Sequence, residues 1–321
     1  MDNILTIRDL KVAFQVRGRD AYALDGINID IPKGKIVGIV GESGCGKSMT
    51  AMSIMGLIKS PGRIVGGSID FCGNELTKMG IRDYANIRGK DISMIFQEPM
   101  TSLNPVVKVG KQVMEAIILH EHISKTEAKQ RVIEIFNEVG IPEAEKRFNS
   151  YPHELSGGLR QRVMIGMAMI CKPKLLIADE PTTALDVTIE AQILRLMKRL
   201  CEESGTSIMM ITHNMGVVAE ICDYVYVMYA GRVVESAPTK ILFNETAHPY
   251  TSGLLKSIPT IGKKQKRLYT IKGNVPNILN LPEGCRFADR CDLSQNICLS
   301  DRPKDDYITD SHMVSCFLHK R

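Results

Sequence analysis

Gly41-Glu-Ser-Gly-Cys-Gly-Lys-Ser48 decides the reading of this chain. Before it stands the apolar run Ile36-Val-Gly-Ile-Val40, a strand by composition. After it Lys47 to Ile58 has helical composition and stops near Ser60-Pro61-Gly62. A glycine-rich turn between a strand and a helix is the setting in which Gly-x-x-x-x-Gly-Lys-Ser cradles phosphates. The glycines let successive backbone N–H groups point inward and wrap an anion. Gly41, Ser43, Gly44, Cys45, Gly46 and Met49 are therefore expected around the phosphates, Cys45 as the filler of a variable loop position. Lys47 brings a positive charge to the β and γ phosphates, and the Ser48 hydroxyl is suited to ligate Mg²⁺. The helix that starts there adds its N-terminal partial charge.

A phosphate loop needs a carboxylate to support its metal. Leu175-Leu-Ile-Ala-Asp179-Glu180 supplies one, because four apolar residues bury the strand and leave Asp179 at its end. Asp179 is expected to support Mg²⁺ through water, and Glu180 to polarise the attacking water as general base. Further strands read at Ile27–Ile31, Ile92–Phe96, Ser207–Ile211 and Tyr224–Tyr229, with helices from Ser156 to about Cys171 and over Val187–Glu203. Short apolar runs alternating with helices imply an α/β fold with a parallel sheet covered on both faces. Residues 106–140 break that rhythm with long helical periodicity and few glycines, as an inserted helical subdomain would.

Between the two nucleotide motifs lies Leu155-Ser156-Gly157-Gly158-Leu159-Arg160-Gln161, and here the chain resembles the ABC ATPases. Physically this is another helix N-terminus, with Ser156 as cap and two glycines baring N–H groups to an anion. In that family the anion is the γ-phosphate held by a partner ATPase, so the resemblance implies a head-to-tail dimer of two such subunits. The family's commonest fifth residue is glutamine. Leu159 stands there in place of that side chain, and the resemblance leaves Ser156, Gly157 and Gly158 for the phosphate. The resemblance makes Gln97 a sensor of Mg²⁺ and water, and gives Ala184-Leu185-Asp186 the role of linking the two sites. His213, directly after a core strand, becomes the switch histidine on the γ-phosphate, although a lone histidine is more often structural. Phe14 or Tyr22 is the aromatic for the adenine ring. The implied fold is a P-loop ABC ATPase cassette over residues 1–237: a RecA-like α/β core, an antiparallel β subdomain and a helical subdomain at about 98–160.

After Ala237 the chain turns rich in proline and glycine, as a small separate C-terminal unit (238–321) would. Four of the nine cysteines crowd there, as Cys285-x5-Cys291-x6-Cys298-x17-Cys316. This is neither the paired Cys-x2-Cys of zinc ribbons nor a ferredoxin spacing. Four thiolates from a loop-rich segment still suit a tetrahedral zinc or a four-iron cluster, or they stay free or pair as disulfides. His248-Pro-Tyr-Thr and Leu281-Pro-Glu-Gly-Cys285-Arg-Phe-Ala-Asp-Arg290-Cys291 resemble the C-terminal extension of the oligopeptide/dipeptide importer ATPases. That resemblance implies a [4Fe–4S] cluster on the four cysteines, ATP and Mg²⁺ as the other cofactors, and di- or oligopeptides as cargo. Nickel or another solute carried by the same subfamily is the alternative cargo.

The bulk composition agrees. Among 321 residues, 44% are hydrophobic and 24% charged, and no run approaches the length of a membrane-spanning helix. The expected place is therefore the cytoplasmic face of the cell membrane, as a peripheral subunit. Two transmembrane permease subunits would carry the path, fed by an extracytoplasmic binding protein. The net charge of +5 is mild, there is no tryptophan, and aromatics do not interleave with basic residues. Nucleic acid is thus not an expected partner. Lys263-Lys264-Gln265-Lys266-Arg267 reads as a solvated linker. A soluble ABC ATPase acting on the ribosome or DNA is the rival reading, and a metal switch gating a partner is a third. Neither two cassettes in one chain nor a long coiled-coil insertion is present to favour the rival.

Overall fold

The computed structural model describes residues 2–97, 102–183, 185–258 and 269–319. In chain order its first strands are β1 (Asn3–Val16), β2 (Arg19–Pro32), β3 (Ile36–Val40), β4 (Gly62–Phe71), β5 (Asn74–Glu75) and β6 (Ile92–Ile95). Then come β7 (Leu175–Asp179), β8 (Ser207–Thr212), β9 (Tyr224–Tyr229), β10 (Arg232–Pro238), β11 (Asp306–Thr309) and β12 (His312–Val314). The chain divides into two compact units: Met1–Ile4, Pro32–Lys35 and Met79–Met210 form the first, and Leu5–Ile31, Ile36–Lys78 and Ile211–Arg321 the second. The basic run at 263–267 lies outside the described residues.

In the first unit, β6 and β7 pair in parallel, from Ile92 opposite Leu175 to Ile95 opposite Ala178. Every residue of β7 is buried, as expected of a strand covered on both faces. The expected helical region holds Val109–Ile118 and Lys125–Glu138, the second capped by Ser124 accepting the Glu127 N–H at 3.1 Å. Val113, Ile117, Val132, Phe136 and Ile165 are buried among these helices and Gly157–Met169. Gly110 is fixed by packing, since a Cβ there would stand 2.3 Å from the Phe148 ring.

The second unit has an antiparallel sheet in the order β2-β1-β4-β5. The sequence suggests short strands here, but β1 and β2 each run 14 residues. A register shift between Arg8 and Lys11 explains why the alternation was hard to see. Leu5 and Ile7 point inward, the bulge adds a residue, and Leu10 and Val12 resume the same face. The unit's other sheet pairs β3 in parallel with β9, β9 antiparallel with β10, β10 with β12 and β12 with β11.

The residues beyond 237, read from sequence as separate, share this sheet. Glu235 and Ser236 lie opposite Val314 and Met313. Glu235, fully buried, accepts the N–H groups of Ala247 (2.7 Å) and His248 (3.0 Å) and pairs with His312 Nε2 at 2.9 Å. Asp25, at 13% side-chain exposure, meets three arginines, Arg232 (3.1 Å), Arg302 (3.4 Å) and Arg286. Burial alone would raise its carboxyl pKa; the guanidiniums outweigh burial and hold it below the ordinary value. Among the described residues no helix is long and apolar enough to cross a membrane.

Candidate nucleotide site

The phosphate loop lies in the second unit, between β3 and the helix Lys47–Ile54. Its first glycine has no substitute. At φ +152° a Cβ on Gly41 would meet the Met228 carbonyl oxygen at 2.2 Å. Lys47 is almost wholly buried, and its Nζ donates to the carbonyl oxygens of Gly41 (2.7 Å) and Glu42 (3.0 Å). The ammonium is thus fixed by the loop's own backbone over the helix N-terminus, which is the preorganisation an anion site needs. Ser43, Gly44 and Ser48 are exposed and Met49 is half-buried. Gly46 takes a left-handed conformation as the helix N-cap. Cys45 turns inward, fully buried, with Nζ of Lys47 at 3.8 Å from its sulfur, so only its backbone can face an anion.

Phe14 and Tyr22 are half-buried on β1 and β2. Phe14 lies opposite Gly62 on β4, where a Cβ would approach its ring at 2.7 Å. His213 is exposed directly after β8, and Asn214 caps the next helix, Met215–Ile221.

The first unit carries the carboxylates. Asp179 ends β7 and is 3% exposed. Glu180 follows at φ +47°, a left-handed conformation unusual for a residue with a Cβ, and one that tends to mark functional positions. Its carboxylate accepts hydrogen bonds from Gln97 Nε2 at 3.1 Å and Thr183 Oγ1 at 3.0 Å. The two polar residues expected around the attacking water, Gln97 and Glu180, are therefore in contact. Thr183 is a partner that sequence reasoning missed, as a threonine in a loop carries no signal.

Ser156 caps the helix Gly157–Met169, accepting the Leu159 N–H at 3.4 Å, and Ser156 and Gly157 are exposed. A Cβ on Gly158 would meet Ile189 at 3.0 Å, so this glycine also permits close packing on the following helix. Asp186 caps that helix, Val187–Ser204, by accepting the Ile189 N–H at 3.0 Å. Ala184 lies outside the described residues.

Cys285, Cys291, Cys298 and Cys316 line one cavity of about 10 Å³, together with Phe287, Leu293 and Phe317. Burial raises the thiol pKa of Cys285 and Cys291, and pushes that of Cys316 up to about 11. Among the described residues, no three or more His, Cys, Asp or Glu side chains are grouped closely enough to hold a metal ion. The four thiols line one cavity, and their present arrangement is not one that would hold a metal ion. The same segment holds His248, which burial keeps neutral with a pKa of about 3 while its Nδ1 accepts the Tyr250 N–H at 3.0 Å.

The ABC transporter family matches residues 24–183, and the oligopeptide/dipeptide transporter C-terminal region matches 234–298. The oligopeptide transport ATP-binding protein AppD of Bacillus subtilis is 51% identical over 100% of this chain and 98% of its own. The corresponding OppD of Escherichia coli is 48% identical over 98% and 93%. Among solved structures, a dimeric ATP-binding cassette in a post-hydrolysis state with ADP and Pi superposes with a TM-score of 0.66 at 26% identity, covering 73% of this chain and 98% of that one. CbiO1 of Clostridium perfringens, part of the CbiONQ transporter complex, gives 0.65 at 30%, covering 76% and 92%.

Proposed function

The chain belongs to the ABC transporter family, and from that membership we propose that it is the ATP-hydrolysing subunit of a di- or oligopeptide importer. The observation that carries the peptide assignment is that likeness to oligopeptide transport ATP-binding proteins runs the full length of the chain, its C-terminal region included. Lys47 and the loop backbone would hold the phosphates, with Phe14 or Tyr22 against the base. Ser48, Asp179 and Gln97 have the donor chemistry for Mg²⁺, which supplies charge neutralisation when bound. Glu180 would take the proton of the attacking water, held in place by Gln97 and Thr183. Ser156 and Gly157, exposed at their helix N-terminus, together with the half-buried Gly158, are suited to a phosphate held by a second cassette.

Two permease subunits and a second cassette, a copy or a different chain, would complete the assembly at the cytoplasmic face of the membrane. Isolation of the tagged protein from its own membranes in mild detergent tests this. Two multi-span proteins and a second ATPase should accompany it, whereas recovery of ribosomes or DNA-repair factors would overturn the transport reading.

We further infer that Cys285, Cys291, Cys298 and Cys316 hold a [4Fe–4S] cluster. Four thiols facing one cavity have the right donor set, and a bound metal would supply the deprotonation that burial opposes. Loading would require these side chains to rearrange from their present spacing. Protein produced under iron-replete, anaerobic conditions should be brown and contain iron and sulfide. Cys298→Ser should lose most of both, and unchanged iron in that variant would remove Cys298 as a ligand.

A further inference from the structure

Glu42 occupies a variable position of the phosphate loop, yet two side chains from the far end of the sequence hold it. Its N–H donates to the Tyr250 phenol oxygen at 2.8 Å. Its carboxylate takes both arms of Arg290, Nη1 to Oε2 at 2.6 Å and Nη2 to Oε1 at 2.9 Å. This forked, charge-assisted geometry is the most directional ion pair a protein makes. Neither holder is loose. Tyr250 is fully buried, and the Arg290 side chain is 5% exposed, against 30% for that of Glu42. Arg290 also donates Nε to the Lys272 carbonyl at 2.8 Å, and its guanidinium lies 5.7 Å from the Tyr229 ring centre and 5.9 Å from that of Phe287.

On its other side, the Glu42 carbonyl oxygen accepts from Lys47 Nζ at 3.0 Å. A path of direct contacts therefore runs from the C-terminal region through Glu42 to the lysine that meets the phosphates. Arg290 itself closes the 3₁₀ turn Ala288–Arg290 between two of the cysteines, with Ala288 N–H bonded to Cys285 O (3.0 Å) and Cys291 N–H to Ala288 O (3.2 Å).

We propose that Arg290 and Tyr250 are positioning residues of the nucleotide site, setting the Glu42 backbone so that Lys47 and the loop N–H groups face the phosphates. The C-terminal region is then a structural part of the phosphate site. Small displacements of a preorganised site cost binding out of proportion to their size, which is why a brace on one loop residue matters. The proposal rests on the loop being a nucleotide site, and its test separates the two.

The affinity of the full-length protein for a fluorescent ATP analogue is measured for the unaltered chain, Lys47→Ala, Arg290→Ala, Arg290→Lys, Tyr250→Phe, Glu42→Ala and the Glu42→Ala/Arg290→Ala double variant. Lys47→Ala should lose binding. Arg290→Ala should bind about 10-fold or more weakly, and Arg290→Lys should fall between, since lysine keeps the charge without the fork. In the Glu42→Ala background, Arg290→Ala should cost nothing further, because its effect passes through Glu42. Amides 41–46 should exchange faster with solvent in Arg290→Ala. Should Arg290→Ala fail to fold, Arg290→Lys and Tyr250→Phe carry the test, and unaltered affinity in both overturns the proposal. Losses from Glu42→Ala and Arg290→Ala that simply add also overturn it, as a general structural role would produce them. Wild-type affinity in Arg290→Ala beside a defective Lys47→Ala removes the brace and leaves the nucleotide reading standing. No binding by the unaltered chain removes both.

Discussion

Glu180→Gln is expected to bind nucleotide as the unaltered protein does and to hydrolyse it about 10²–10⁴-fold more slowly, the usual contribution of a positioned general base. The substitution is close to isosteric. Gln97 Nε2 and Thr183 Oγ1 now donate to the carboxylate at 3.1 and 3.0 Å, and the amide oxygen of a glutamine accepts from both in the same way. The left-handed backbone at φ +47° strains Glu and Gln equally, so the local fold should persist. What is lost is the capacity to take a proton. Steady-state phosphate release and equilibrium nucleotide binding, measured on one preparation, check the split. Turnover within a few-fold of the unaltered rate would remove Glu180 from its role, and weakened binding would mean that it acts mainly in structure.

The second large effect is on stability. Glu235→Ala is expected to cost about 3–5 kcal/mol, the scale for removing a buried carboxylate and leaving its hydrogen-bond partners unpaired. The carboxylate is fully buried and serves the Ala247 N–H, the His248 N–H and His312, all of which would be left in the interior without it. Thermal unfolding should move down by roughly 4–7 °C. Glu235→Gln, which keeps acceptor oxygen for the backbone groups, should lose visibly less. An alanine variant melting with the unaltered protein would mean that the tail does not depend on this anchor.

The contrast between these two residues marks what the sequence reveals. The position of Glu180 is legible from local spacing: four apolar residues, then Asp179 ending β7, then Glu180. Lys47, Ser48 and Ser156 were legible in the same way, each tied to a glycine turn or helix start within a few residues. The helices at Val109–Ile118 and Lys125–Glu138 follow from periodicity alone. Glu235 and Arg290 gave no such signal. Glu235 finds His312 across 77 residues, and Arg290 finds Glu42 across 248, pairings that no local pattern encodes. The continuity of the tail with the preceding sheet was missed for the same reason, because proline and glycine mark where turns fall and not where a returning strand such as β12 will pair. The bulge in β1 hid that strand's length by shifting the alternation partway along.

The return of β12 to β10 has a practical consequence for anyone shortening the chain. A cut after Ala237, where composition changes, would leave the backbone of β10 unpaired on one side at Glu235 and Ser236. Bare edges of this kind recruit strands from other molecules, so the shortened product would tend to self-associate. It would also strip three arginines' worth of compensation down to one at Asp25, as Arg286 and Arg302 leave with the tail and Arg232 remains. The C-terminal region thus works as an intramolecular edge guard, and the smallest fragment that stays soluble should extend through Val314.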